Sequence, residues 1–193
     1  MIIFLGNDKT TEAFSKTIYG SSSDKKDIVL SCQYRHRVPE SLLNSHTCIN
    51  IHFGALPSYR GCNPIYWQMK NKEKYAGITI HYMDNNFDTG EIIDTVYVLI
   101  DNNTADEIYD MLLVEAVDRF NFWKNDIING VAPRKKQDKG KYYCKSFVDF
   151  DDVKYIDDLE DANALSYKGK QNPIININGR DWELKPYESS DYR

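Results

Sequence analysis

Asn50 and His52 stand two residues apart at the end of the apolar run Cys48-Ile49-Asn50-Ile51. On a strand, that spacing puts both side chains on one face, so an amide and an imidazole are presented together. The pair suits polarisation of a carbonyl. The amide donates to an oxygen that is becoming negative, and the ring gives or takes a proton near neutral pH. What the pair lacks is a carboxylate to orient the ring. Asp88, in Asp88-Thr89-Gly90, is the candidate, set against the plainer reading of an aspartate that merely serves a turn. His36, His46 and His81 have no partner that sequence can name. His81, on an alternating strand, reads as a satisfied half-buried residue.

Strands and loops must bring these groups together. Ile2 to Leu5 and Asp27 to Ser31 read as buried strands, with a helix between them capped by Thr10 or Thr11 and running through Lys16 to Tyr19. Gly20 to Lys26 reads as a loop. Pro39 opens a short helix to about Ser45, Thr47 to Ile51 forms a third strand, and the glycine- and proline-rich stretch from Phe53 to Cys62 is a loop. The chemistry thus sits just past the carboxyl end of a strand, where open α/β sheets bind ligands. Asn63-Pro64 begins the next helix, as an amide cap followed by proline. Two more strands, Ile78 to Met83 and Ile92 to Val98, flank the polar loop that carries Asp88.

Thr104 and Glu107 form a capping box for a long amphipathic helix with Ile108, Leu112, Ala116, Phe120, Trp123 and Ile127 on one stripe and Gly130 past its end. After Pro133 the composition turns basic at Arg134-Lys135-Lys136 and then acidic from Asp149 to Asp161, which divides the chain into residues 1–133 and 134–193. Around Asn178-Gly179 the apolar and polar residues alternate as in a hairpin. A lone hairpin is marginal, so it must pack on the main domain or on a second subunit.

Composition excludes several classes. The 193 residues carry a formal net charge of −5, and no segment is densely basic, so nucleic acid is not an expected partner. The apolar start ends at Asn7-Asp8-Lys9, too soon for a signal-peptide core, and no stretch is long enough to span a membrane. Four cysteines without paired spacing argue against a zinc site and a disulfide framework and fit a reducing cytoplasm. Gly6 stands alone where a dinucleotide fingerprint needs three glycines. The fourteen tyrosines read as half-buried packing, and Tyr66 and Trp67 as stacking candidates that core packing explains equally well.

Asn50-Ile51-His52, Leu56-Pro57-Ser58-Tyr59-Arg60-Gly61, Gly77-Ile78-Thr79-Ile80-His81 and Asp88-Thr89-Gly90-Glu91-Ile92-Ile93, in this order and spacing, resemble the folate-dependent formyltransferase family from about Asp27 to Gly130. Phe53-Gly54 and Cys62-Asn63-Pro64 most resemble its sugar N-formyltransferases. The resemblance implies an α/β Rossmann-like domain, here abridged between Gly20 and Asp27, followed by a small C-terminal β extension used in dimers, to which the hairpin is similar. It implies Asn50, His52 and Asp88 as the catalytic trio and 10-formyltetrahydrofolate as donor, without metal. It further implies Gln33, Tyr34, Leu56 and Asp84 as folate contacts, and Arg60 and Tyr59 as contacts to a nucleotide-linked amino sugar. The product is expected to enter surface polysaccharide or lipopolysaccharide O-antigen. Relatives that formylate a purine precursor, formylate initiator methionyl-tRNA or hydrolyse the folate, and a catalytically idle sugar-nucleotide-binding relative, are the alternatives. A serine- and glycine-rich phosphate loop is absent at Asn7-Asp8-Lys9, and acidity and the lack of a larger C-terminal domain disfavour the tRNA enzyme.

Overall fold

The computed structural model describes residues 1–19, 27–34, 36–101, 103–143, 174–177 and 180–183. The expected loop from Gly20 to Lys26, the acidic run from Asp149 to Asp161 and the Asn178-Gly179 turn lie outside them. The chain begins β1 (Ile2–Gly6), α1 (Asp8–Tyr19), β2 (Ile28–Cys32), α2 (Glu40–Ser45), β3 (Thr47–His52). It continues β4 (Arg60–Gly61), α3 (Pro64–Lys70), β5 (Tyr75–Tyr82), β6 (Ile92–Leu99), α4 (Ala105–Asn129) and β7 (Tyr142–Tyr143). An antiparallel pair follows, β8 (Ile174–Ile177) and β9 (Arg180–Glu183), in the register expected of the hairpin, with Ile177 opposite Arg180.

Five strands form the main sheet in the order β1-β2-β3-β5-β6. The first three run parallel, and β5 and β6 are antiparallel to their neighbours. Among the described residues β1 pairs with β2 and forms one edge of the sheet. β3 stays in the interior between β2 and β5.

A core of Ile28, Leu30, Ile49, Ile51, Ile78 and Ile80 from the strands meets Phe14 of α1 and the stripe Ile108, Leu112, Ala116, Phe120 and Ile127 of α4, all at most 2% exposed. Phe14 stacks on Phe4 and edges against Phe120. Trp123, on the same stripe, is half-buried, its indole N–H donating to Asp94 at 2.9 Å. α4 starts at the expected capping box: Thr104 Oγ1 accepts from the Glu107 N–H and Glu107 Oε2 accepts from the Thr104 N–H. It ends at Gly130 in the left-handed region.

Two caps differ from expectation. α1 starts earlier, at Asp8, because Asn7 Oδ1 accepts from the Thr10 N–H at 2.9 Å while Thr10 Oγ1 accepts from the Asn7 N–H at 3.0 Å. Thr10 is therefore the third helical residue and not the cap, and it completes a reciprocal box. Asn63 does precede α3, with Pro64 inside the first turn, but it sits at φ 53° and its side chain makes no capping bond. Asparagine is used here for its tolerance of the left-handed region.

Residues 134–143, which the change in composition had placed with the extension, are tied to the main domain. Lys135 and Ile92 exchange backbone hydrogen bonds of 2.8 and 3.0 Å, and β7 pairs in parallel with β4.

Candidate active site

β3 delivers Asn50 and His52 on one face, and antiparallel β5 places His81 directly opposite Asn50 and Thr79 opposite His52. Directly opposed residues share a face, so the cross-strand pair Asn50 and His81 forms within the sheet. A register shift between Ile80 and His81 where β5 meets β6 is the kind of bulge that re-aims a side chain beside a site.

The hydrogen bonds assign the ring tautomers. His52 Nε2 lies 2.6 Å from the Tyr59 carbonyl oxygen, which can only accept, so Nε2 carries the proton. Nδ1 of the neutral ring then presents its lone pair, 3.6 Å from Asp88 Oδ1. His81 Nδ1 likewise donates to the Tyr82 carbonyl at 2.8 Å, leaving Nε2 to accept from the Asn50 amide at 3.1 Å. The second Asn50 N–H meets Asp88 Oδ1 at 3.3 Å.

Glycine is required for this arrangement at position 54. A Cβ there would stand 2.6 Å from the Tyr59 oxygen and 2.7 Å from His52 Nε2, wedging apart the contact that sets the tautomer. Thr79 holds the same loop, donating to the Gly54 carbonyl at 2.8 Å and accepting from the Leu56 N–H at 3.1 Å.

Asp88 adopts φ 56° in the β5–β6 loop, a conformation that costs a non-glycine residue on the order of 1 kcal/mol or more and persists only where neighbours enforce it. Its Oδ2 accepts from the Gly61 N–H at 2.8 Å. Burial by itself pushes the Asp88 carboxyl up. The adjacent His52 and His81 rings in their protonated forms, together with the Gly61 N–H, outweigh that effect and hold it well below the usual carboxylate range. The result is a desolvated carboxylate touching an amide, two imidazoles and a backbone donor.

The structure thus brings Asn50, His52 and Asp88 together and adds His81, 2% exposed and 3.7 Å from Asp88 Oδ1. Sequence reasoning had set His81 aside. The signal that finds it is the strand register, which pairs it with Asn50.

The remaining expected contacts fare differently. Asp84 folds back on its own loop, accepting from Thr89 Oγ1 and from the Asn86 N–H. It also borders a shallow pocket that runs from Arg37, Val38 and Leu43 to Met83 through Phe87. Gln33, at φ 58° after β2, Tyr34, edged against His36, and Leu56, 6% exposed, lie outside the lining of that pocket.

Tyr59 and Arg60, expected as substrate contacts, have their side chains engaged within the protein. The Tyr59 ring is 6% exposed, stacks on Tyr143 at 5.6 Å, and its hydroxyl donates to Glu73 at 2.6 Å, so only its carbonyl reaches the site. The Arg60 guanidinium is spent on the Asp88 and Asp138 carbonyls and the Gln137 side chain. Burial also pushes the Cys32 and Cys48 thiols up, which leaves them as packing groups.

An imidazole with a free acceptor nitrogen beside a buried carboxylate, at the end of a central strand in an α/β sheet, defines a class of acid–base group-transfer site. A family model for formyl transferase matches residues 11–118, more than half of the chain, and the protein belongs to that family. It is 43% identical over 106 residues to the methionyl-tRNA formyltransferase of Halothermothrix orenii, covering 53% of this chain and 34% of that one.

Among solved structures it resembles a 4-N formyltransferase from Francisella tularensis, at 26% identity and a TM-score of 0.70 over 95% of this chain and 86% of that one. It also resembles a formyltransferase from Anoxybacillus kamchatkensis solved with UDP-4,6-dideoxy-4-formamido-L-AltNAc and tetrahydrofolate. That likeness has 27% identity and a TM-score of 0.61 over 76% and 86% of the two chains. The chain spans 34–47% of the length of five methionyl-tRNA formyltransferases it matches. Among the described residues no helix is long and apolar enough to cross a membrane.

Proposed function

We propose that this protein transfers the formyl group of 10-formyltetrahydrofolate to the amine of a nucleotide-linked amino-deoxy sugar. The convergence of Asn50, His52 and His81 on the Asp88 carboxylate carries this reading.

The amine nitrogen attacks the formyl carbon, and the carbonyl electrons move onto the formyl oxygen. The Asn50 N–H that holds Asp88 only at 3.3 Å is the donor available to that oxygen, aided by the ring of His52 once protonated. His52 Nδ1 takes the proton lost by the amine. A neutral ring sets a lone pair against a carboxylate, and accepting a proton turns that repulsion into attraction, so Asp88 favours the step. The same proton then goes to the departing folate nitrogen. Fixing donor and amine side by side supplies further acceleration.

The sugar acceptor is supported by the two structural relatives at 26% and 27% identity, one a 4-N formyltransferase and one solved with a formamido sugar nucleotide. A second acceptor, initiator methionyl-tRNA, is favoured by the 43% identity to the Halothermothrix enzyme. The net charge of −5 weighs against an RNA polyanion, which is ordinarily met by a basic surface. A cytoplasmic homodimer joined through the C-terminal hairpin, serving surface polysaccharide synthesis, completes the proposal.

The test incubates the protein with 10-formyltetrahydrofolate and either a panel of nucleotide-linked 3-amino and 4-amino sugars or charged initiator tRNA, following product mass and free formate. A formylated sugar supports the proposal and formyl-methionyl-tRNA replaces it with the second reading. Formate released without any acceptor identifies a hydrolase, and absence of turnover an idle relative.

A further inference from the structure

Gln137 is half-buried in an otherwise exposed stretch, Pro133 to Gly140, and every hydrogen-bonding position of its side chain is used. Nε2 donates to the Asp88 carbonyl at 3.1 Å and to the Gly90 carbonyl at 2.7 Å. Oε1 accepts from Arg60 Nε at 3.1 Å and from Arg60 Nη2 at 2.8 Å. A primary amide has two donors and two acceptor sites, so this one is saturated. Its partners are the residue that carries the carboxylate, the residue two further on, and the arginine that precedes Gly61.

The geometry of that cluster is directed at Asp88. Arg60 Nε also donates to the Asp88 carbonyl at 3.1 Å, so one carbonyl oxygen is gripped by two side chains that also grip each other. Around them, the Arg60 N–H donates to the Lys141 carbonyl at 3.1 Å, the Cys62 N–H donates to the Tyr143 carbonyl at 2.8 Å, and Lys135 is laddered to Ile92. The strand segment at Arg60-Gly61 and the turn at Asp88 to Gly90 touch the same side chain. Asp88 needs such a grip because its backbone lies at φ 56°, from which relaxation would swing the carboxylate off the Gly61 N–H and the two imidazoles.

We propose that Gln137 is a positioning residue for Asp88: its saturated amide locks the Asp88-Thr89-Gly90 turn to Arg60, and thereby aims the carboxylate at Gly61, His52 and His81. This rests on the reading of Asp88 as part of the reacting site. It makes residues 134–143 a part of the active-site framework.

The test uses Gln137→Met, which keeps length and loses all four bonds, and Gln137→Glu, which keeps the acceptor for Arg60 and loses both donors. Amide hydrogen exchange of the full chain is the first readout. In both variants the Gly61 amide, which rests on Asp88 Oδ2, should exchange about tenfold faster while β3 amides keep their protection. The second readout is steady-state formyl transfer, where kcat should fall about 10- to 100-fold, as for a small misplacement of reacting groups, with KM for both substrates within about twofold.

Unchanged Gly61 exchange and kcat in the folded variants would overturn the proposal, as would loss of protection spread over the whole sheet. Rescue of both readouts by Gln137→Glu would show that only the Arg60 acceptor matters and would also overturn it. Should the wild type transfer no formyl group, the functional reading fails, and the Gly61 exchange alone still decides this one. If Gln137→Met does not fold, Gln137→Glu carries the comparison.

Discussion

Asp88 Oδ1 lies 3.6 Å from Nδ1 of His52, while the opposite nitrogen of the same ring is fixed 2.6 Å from the Tyr59 carbonyl. The ring is clamped at one end by a group that only accepts and faces a carboxylate at the other. It is therefore set to receive a proton at Nδ1. His52→Asn removes that base but keeps a polar group, and kcat for formyl transfer should fall by about 100-fold or more. Product mass against time gives the rate, and an unchanged kcat would remove His52 from the mechanism.

The depressed Asp88 carboxyl has a consequence for acid stability. A carboxylate whose folded value lies below its ordinary 3.8 stabilises the native state above that value and loses the contribution as pH falls through and below it. From pH 6 to pH 3, the wild type should thus lose melting temperature faster than Asp88→Asn, which has no proton to bind there. Thermal unfolding of both proteins across that range measures the slopes. Parallel slopes would mean that the carboxylate is not held as the geometry shows.

His81 acts on Asn50 and not through its own exposure, since 2% of it is accessible and its Nε2 accepts the Asn50 amide. His81→Leu preserves bulk but leaves that N–H without its acceptor, which costs about 1–3 kcal/mol for a buried group. Turnover should drop about tenfold or more as Asn50 reorients. Urea unfolding and kcat together check both parts. A variant of wild-type rate would make His81 a packing residue, as its alternating strand alone suggested.

These expectations differ in how far sequence could carry them. The 3.6-residue stripe from Ile108 to Ile127, with Thr104 and Gly130 at its ends, was fully legible because its signals lie within one helix. Asn50 and His52 were legible for the same reason, being two apart on one strand. His81 and Gln137 were not, because their roles follow from the pairing of β3 with β5 and from a return of the chain after α4, neither of which has a local signature. For Tyr59 and Arg60 the motif marks the residues, but only the folded chain shows Glu73, Tyr143, Gln137 and Asp138 as partners of their side chains.

At the alkaline end, burial and the hydrogen bond to Glu73 push the Tyr59 hydroxyl up to about 12. An acidic group raised in the folded state stabilises it fully below its ordinary value near 10 and loses that contribution as pH rises through the folded value. Between pH 9 and pH 12 the wild type should lose stability more steeply than Tyr59→Phe. Urea unfolding at a series of pH values tests this, since the other tyrosines are common to both proteins. Equal steepness would indicate that the Tyr59 phenol ionises as freely as an exposed one.

Gly61 separates the contribution of backbone geometry from that of stability. At φ 93°, a Cβ on this residue would stand 2.0 Å from the Tyr143 carbonyl oxygen, a backbone atom in the partner strand that cannot swing away. Gly61→Ala must therefore pry β4 from β7 and shift the N–H that holds Asp88 Oδ2 at 2.8 Å. Both stability and kcat should fall, the latter about tenfold or more. Thr104→Ala is the control. It removes the cap of α4, costs about 1 kcal/mol, and touches nothing near Asp88, so its kcat should remain that of the wild type at temperatures where it is folded. If the two variants lose activity only in proportion to stability, the Gly61 N–H has no role beyond holding the strand. If Gly61→Ala alone loses kcat while folded, the backbone donor is part of what keeps the carboxylate in place.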